Sequence, residues 1–182
     1  MANKQALRDL QHRLAQRLLA ARTDLPGTSW LAVEAGGHGF LLPLKEAGEI
    51  FSLTPIVPVP HCRDWFLGVA NLRGHLHGVV DLAGFLGLPA APVAARAPAQ
   101  LVGFNAALEL NCVLRVERLA GLRSDEQLSP VGGFEVTENA APAAAVRPAF
   151  AGARLRDATG RVWQELKLAA LATDDAFLGI TA

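Results

Sequence analysis

The sequence predicts a mainly β protein made of small antiparallel barrels, with a helix at its front and short helices elsewhere. Three observations carry this. Short apolar runs with strand character recur at close spacing and are divided by Gly, Pro, Asn and Asp turn signals. No strand alternates with a long helix, which argues against a doubly wound nucleotide-binding sheet. The first 22 residues are the one long stretch with helical period.

Asn3 to Arg22 reads as that helix. Leu7, Leu10, Leu14 and Leu18 recur at helical spacing, and Asn3 is placed to cap them. Arg8, Arg13, Arg17 and Arg22 lie among the remaining positions. A basic amphipathic helix can touch a membrane or an acidic partner. The alternative is that its leucines pack on the body or on a partner helix. Asp24-Leu25-Pro26-Gly27 ends it, so the chain divides into a helix over 1–24 and a β domain over 28–180.

Trp30 to Leu44 carries a hairpin signature around Ala35-Gly36-Gly37-His38-Gly39. Glu49 to Leu53 is a short strand. Thr54 to Cys62 holds three prolines and is extended but not a central strand. Trp65 to Asn71 and His75 to Leu82 are strand-like, and Asp81 is placed to cap a short helix over Leu82 to Leu86. Leu88 to Ala99 is an Ala/Pro-rich connector. Strand patterns resume at Gln100 to Phe104 and Leu110 to Val116. Ser129 to Pro148 is the best candidate for a mobile loop. A second hairpin spans Arg147 to Leu168 around Asp157-Ala158-Thr159-Gly160, and one short helix is expected over Leu168 to Phe177.

Composition narrows the function classes. Lys+Arg and Asp+Glu are 17 each across 182 residues, so no whole-surface charge is built for nucleic acid or anionic lipid. Hydrophobic residues are 51% and mean hydropathy is +0.26, which predicts a packed core. Aromatics are 6% with no Tyr, so base-stacking platforms are poorly supplied. The N-terminus lacks the apolar run of a signal peptide, and no stretch reaches the ~18 apolar residues of a membrane span. The expectation is a soluble, cytoplasmic protein without direct membrane insertion. Cys62 and Cys112 are far apart and read as reduced thiols, with a disulfide as the alternative.

Catalytic patterns are sparse. Neither GxxxxGK[ST], GxGxxG nor GxSxG occurs. His75-Leu76-His77 sets two imidazoles on one face of a strand, and a metal-dependent hydrolase using His75, His77 and Asp81 is one reading. Two polar residues on the solvent side of a strand is the other. No catalytic residue, cofactor or metal is expected.

The distinctive segment is Gly68-Val69-Ala70-Asn71-Leu72-Arg73-Gly74, followed by Val79-Val80-Asp81-Leu82. A guanidinium between two apolar strands must fork onto a carboxylate or carbonyls, and Asp81 is an available partner. The segment resembles the signature of the CheW-like family, the chemotaxis coupling proteins, at every position from Gly68 to Gly74 and again at Val79, Asp81 and Leu82. Where the family often has Pro, this chain has Gly78. The N-terminal helix, the Trp65 to Gly74 run and Val162 to Leu166 are most similar to the type IV pilus, twitching-motility branch of the family, the PilI type.

The resemblance implies two small SH3-like β-barrels side by side around a shared core, and no enzymatic activity. It implies an adaptor or scaffold that couples the cytoplasmic tip of a methyl-accepting chemoreceptor to a CheA-type histidine kinase of a two-component system, and that is recruited to membrane receptor arrays. A CheW-like regulator of another signalling output is the neighbouring alternative. Carried over by motif, Asn71, Leu72, Arg73 and Gly74 belong to the receptor side, with Arg73 at a groove between the barrels that takes the tip. Glu49 and Ile50 belong to a kinase side lying elsewhere. Gly68 and Asp81 are structural.

The break at Pro26-Gly27 makes the first helix separable. Deleting residues 1–24 is expected to leave a core that melts cooperatively in thermal denaturation; a broad, non-cooperative melt of the truncated chain would place the helix in the core.

Overall fold

The computed structural model describes residues 28–89, 99–131 and 148–182. The helix expected over 1–24 and most of the 88–99 and 129–148 connectors lie outside them. β1 (Ser29–Ala35) and β2 (His38–Pro43) form the first hairpin. The chain then crosses to a second sheet and lays down β3 (Ala47–Ser52), β4 (Phe66–Leu72), β5 (His75–Asp81), helix α1 (Leu82–Phe85), β6 (Gln100–Phe104) and β7 (Cys112–Val116). It returns to the first sheet with β8 (Arg118–Ser124), β9 (Leu128–Pro130), β10 (Ala151–Asp157) and β11 (Val162–Leu166), and ends in α2 (Leu168–Leu171) and α3 (Asp175–Leu178). The sheet orders are β8-β1-β2-β11-β10-β9 and β3-β6-β7-β5-β4. Neighbours are antiparallel except β2 with β11 and β5 with β7.

Each sheet is curled, so its strands bury both faces. In β1, Leu31 and Val33 face the core shared by the two sheets, while Trp30 and Ala32 face the interior of their own sheet. In β7, Leu114 and Val116 join the shared core and Val113 joins Leu72, Ala70, Val79 and Leu101 inside the second sheet. This doubling explains why these strands read as apolar runs with little polar alternation. The expected mainly β fold of two small barrels is the observed one.

Two differences from the sequence reading have local causes. β8 was not expected, because RLAGLRS carries two arginines and a glycine; it exists by pairing along β1, with a register shift between Ala32 and Val33. The single helix expected over Leu168–Phe177 is two. The chain tightens at Thr173, and Asp174 turns extended; its carboxylate then accepts from the Ala176 and Phe177 N–H groups at 3.0 Å each, starting α3. That restart drives Phe177 into the shared core against Trp65, Phe85 and Phe104, at ring separations of 6.3, 5.1 and 5.9 Å. Arg63 fastens the tail, its backbone N–H donating to Ile180 O and its Nε to Gly179 O, both at 2.9 Å.

Glu34 of β1 accepts from Arg118 of β8 at 2.5 and 2.8 Å and also pairs with Arg161. The Arg118 bonds lead in holding its carboxyl below the usual range, with Arg161 assisting and burial opposing. Asp157 closes the β10–β11 turn. It accepts from the Thr159 hydroxyl at 2.6 Å, the Thr159 and Arg161 N–H groups and the Trp163 indole at 2.9 Å. Thr159 and then Trp163 bring its carboxyl down to about 2 from 3.8.

A carboxyl lowered on folding stabilises the fold above its unfolded pKa, and that contribution disappears as pH falls through the folded value. Asp157→Asn is therefore expected to lower the melting temperature near neutrality, with the gap to the natural protein closing between about pH 4 and about pH 2. A gap independent of pH in melting curves would show that the charge of Asp157 contributes nothing.

Candidate functional site

The site begins with a two-residue turn. β4 and β5 are joined by Arg73 and Gly74, both with positive φ, 52° and 89°. Two successive positive φ angles define the tight hairpin turn whose twist matches the strands it joins. Gly74 reaches this geometry freely, and Arg73 holds it under strain. The Asn71 side-chain carbonyl fixes the turn by accepting from the Gly74 N–H at 2.8 Å. Leu72 is 3% exposed inside the second sheet. It anchors the turn and presents no surface, which corrects its assignment as a partner contact.

Arg73 leaves the turn into solvent, its side chain 74% exposed. Its Nη1 lies 2.5 Å from Glu49 Oε1, and its guanidinium sits over the Phe51 ring, 5.9 Å from the centroid. The partner is thus Glu49, not Asp81, and no residue of the turn lines the cleft bordered by β2, β10 and β11. β3 and β4 are opposite ends of the sheet order, so the Arg73–Glu49 pair spans the seam where the curled sheet closes.

Gly68 makes that seam possible. Val57 and Val69 exchange backbone hydrogen bonds of 2.8 and 2.9 Å, bringing the proline-bearing segment onto the outer edge of β4. A Cβ on Gly68 would stand 2.1 Å from Val57 O, and its φ of 128° is strained for any other residue. The structural role expected of Gly68 has this physical basis.

Around the seam lies an apolar surface that the sequence reading only touched at Ile50. Leu76 is 64% and Val57 62% exposed, and Ile50, Leu53 and Val59 are exposed as well. Together they are five of the eight large hydrophobics exposed among the described residues. With His75 and His77 on the solvent side of the strand, Leu76 is expected to point inward, and its exposure departs from that alternation; Val57 and Val59 were hidden among prolines.

Asp81 is engaged elsewhere. It caps α1 by accepting from the Gly84 N–H at 3.2 Å and pairs with Arg115 of β7 at 2.8 Å. His77 Nδ1 lies 3.1 Å from the His75 carbonyl oxygen. Among the described residues no three His, Cys, Asp or Glu side chains converge as a metal set. His75, His77 and Asp81 therefore do not assemble the hydrolase centre considered from sequence. Cys62 and Cys112 are free thiols, and burial pushes Cys112 up to about 12. No helix among the described residues is long and apolar enough to cross a membrane.

A second feature is an open cleft of about 1390 Å³ where β2, β10 and β11 of the first sheet face Trp65, α1 and the start of α3. Phe40, Trp65, Phe85 and Phe150 line it, and Arg63, Arg154 and Arg161 stand on its rim.

Arg73→Ala is expected to change folding stability by less than about 1 kcal/mol, because an ion pair this exposed is screened by water. Urea denaturation measures it, and a loss of several kcal/mol would make Arg73 a staple of the fold.

Comparison with known proteins places these features in a family. Residues 29–176 match the family model described as CheW-like domain. Protein PilI of Pseudomonas aeruginosa is 36% identical over 81 residues, covering 44% of this chain and 46% of that protein. Chemotaxis protein CheW of Rhizobium meliloti is 37% identical over 65 residues, 36% of this chain and 42% of that protein. The aligned segments thus span less than half of these curated relatives. The scaffolding protein TtCheW of Thermoanaerobacter tengcongensis shares the fold, with a TM-score of 0.56 at 13% identity over 78% of this chain and 89% of that one.

Proposed function

The chain belongs to the CheW-like domain family, and we propose from that premise that it is a non-enzymatic adaptor. It joins the cytoplasmic tip of a methyl-accepting chemoreceptor to a CheA-type histidine kinase, in a chemotaxis-like pathway controlling type IV pilus twitching motility. It works in the cytoplasm and is recruited to membrane receptor arrays. The similarity to PilI, 36% identity over 81 residues, supports the pilus assignment.

The observation that carries the reading is the Arg73–Glu49 pair. Asn71, Arg73 and Gly74 are the receptor-side turn, and Glu49 and Ile50 are the kinase-side strand. Because one ion pair links them, both partners are read on one continuous face, edged by the apolar residues of the seam. The open cleft receives the apolar face of the receptor's helical tip. Two surfaces on one scaffold suit an array, where linked weak contacts add to a stable assembly without any single tight one.

The test is capture of a receptor cytoplasmic fragment and a CheA-type regulatory domain on the immobilised protein. Arg73→Ala removes a charge-assisted contact worth roughly 1.5–3 kcal/mol, so receptor capture is expected to weaken by about one to two decades. Glu49→Ala is expected to weaken receptor capture as well as kinase capture. If Glu49→Ala weakened kinase capture alone, the two contacts would be on separate surfaces. If neither partner were captured, a CheW-like regulator of another output would become the better reading.

A further inference from the structure

The open cleft is apolar at its floor and cationic at its rim. Phe40, Trp65, Phe85 and Phe150 make the floor. Three guanidinium groups stand above it, and they are not equivalent. Arg161 is matched by Glu34 and lies over the Trp163 ring at 4.5 Å, so its charge is spent within the fold. Arg63 donates through Nε to the Gly179 carbonyl, a neutral acceptor, and keeps its charge. Arg154 is exposed on β10 and forms no ion pair among the described residues. The one carboxylate on the lining, Asp174, accepts two N–H groups at the start of α3 and keeps its charge as Arg63 does, so Arg63 and Arg154 leave the lining with a net positive balance.

The strands that border the cleft are β2, β10 and β11. All three are interior to their sheet: β2 lies between β1 and β11, β11 between β2 and β10, and β10 between β11 and β9. β9 pairs β10 only over Leu155–Asp157, and at the cleft the Gly152 and Ala153 carbonyls accept from the Gln164 side chain while the Ala153 N–H donates to Glu165, so this stretch offers an extended peptide no open ladder. A partner must bind through side chains alone, which is how an amphipathic helix lies in a groove, while strand addition needs an open edge.

We infer that the cleft selects a helix of another protein whose apolar stripe is flanked by carboxylates, and that Arg154, with Arg63, reads those carboxylates. The inference rests on the adaptor reading only in taking the occupant to be a helical partner. It adds the chemistry of that partner: apolar residues at i, i+3 or i+4 and i+7 fill the aromatic floor, and Glu or Asp beside them meets the two guanidinium groups. Charge-assisted bonds to carboxylate are the strong ones, and Arg presents a planar fork that matches the carboxylate shape. A helix flanked by lysines would meet like charge and be rejected.

The test uses the full chain and two helical peptides with the same leucine and phenylalanine stripe, one flanked by glutamates and one by lysines. Binding is measured by isothermal titration at low and at moderate salt, and the contacted residues are mapped by NMR. The glutamate peptide is expected to bind at least tenfold more tightly, with the preference shrinking as salt rises and the shifts falling on Trp65, Phe85 and Phe150. Arg154→Gln is expected to remove most of the preference and Arg154→Glu to reverse it, with both variants melting like the natural protein because Arg154 is exposed. Equal affinities, no binding of either peptide, a preference that survives Arg154→Glu, or shifts mapping away from the cleft would each overturn the inference. Failure of the adaptor reading shows differently: the receptor fragment would not be captured while the peptide preference and its reversal remained.

Discussion

The first hairpin of this fold cannot complete its sheet until the chain returns. β1 is paired on one side by β2 and on the other by β8, and β2 is paired on its far side by β11. Both outer partners come from beyond residue 117, after the whole second sheet has been laid down. The Glu34 carboxylate marks this closure, because its two guanidinium partners, Arg118 and Arg161, both belong to the returning chain. Sequence-distant pairing is entropically costly until the strands it aligns bury apolar surface. Here that surface is buried twice over, on both faces of β1 and β2. The shared core then gathers residues of both sheets and of the C-terminal helices into one cluster, so neither sheet has an independent core on that side.

The same enclosure shapes the surface. The second sheet has ends at β3 and β4, and the outer edge of β4 is met by the proline-bearing segment that follows β3, through the Val57–Val69 bridge. Prolines on the closing segment limit further strand pairing there. The seam therefore leaves apolar side chains at the surface while its backbone is partly closed. Exposed apolar patches edged by charge are the usual marks of protein contact. The Arg73–Glu49 pair crosses the seam, so residues separated in sequence become one face.

Much of this was legible in the sequence, and its limits were physical. The Asn71-Leu72-Arg73-Gly74 turn, the cap at Asp81 and the hairpin at Gly36-Gly37 are local, and local chemistry reads directly. β8 was missed because nothing in RLAGLRS marks a strand; β1 supplies its partner. The break at Asp174 was missed because the apolar period runs through it and only the capping geometry shows the stop. The ion partner of Arg73 depended on how the sheet curls. Asp81 was near in sequence, but it lies at the far end of β5 from the turn and is occupied by Arg115 and Gly84. The cleft joins residues from 37 to 176, a set that no local pattern connects.

The strain at Arg73 gives the face its meaning. A non-glycine residue held at φ 52° costs on the order of 1–3 kcal/mol. Asparagine before glycine is the residue such a turn favours. The fold instead holds an arginine there, in a position where its ion pair with Glu49 is too exposed to repay the strain. The packing beneath, with Leu72 buried and Asn71 tied to Gly74, is what keeps the strained residue in place. The fold thus carries a strained residue at the tip of the turn, aimed into solvent beside exposed apolar side chains. On backbone conformation alone asparagine is the better residue at 73, so the arginine is held there against the local preference of the turn.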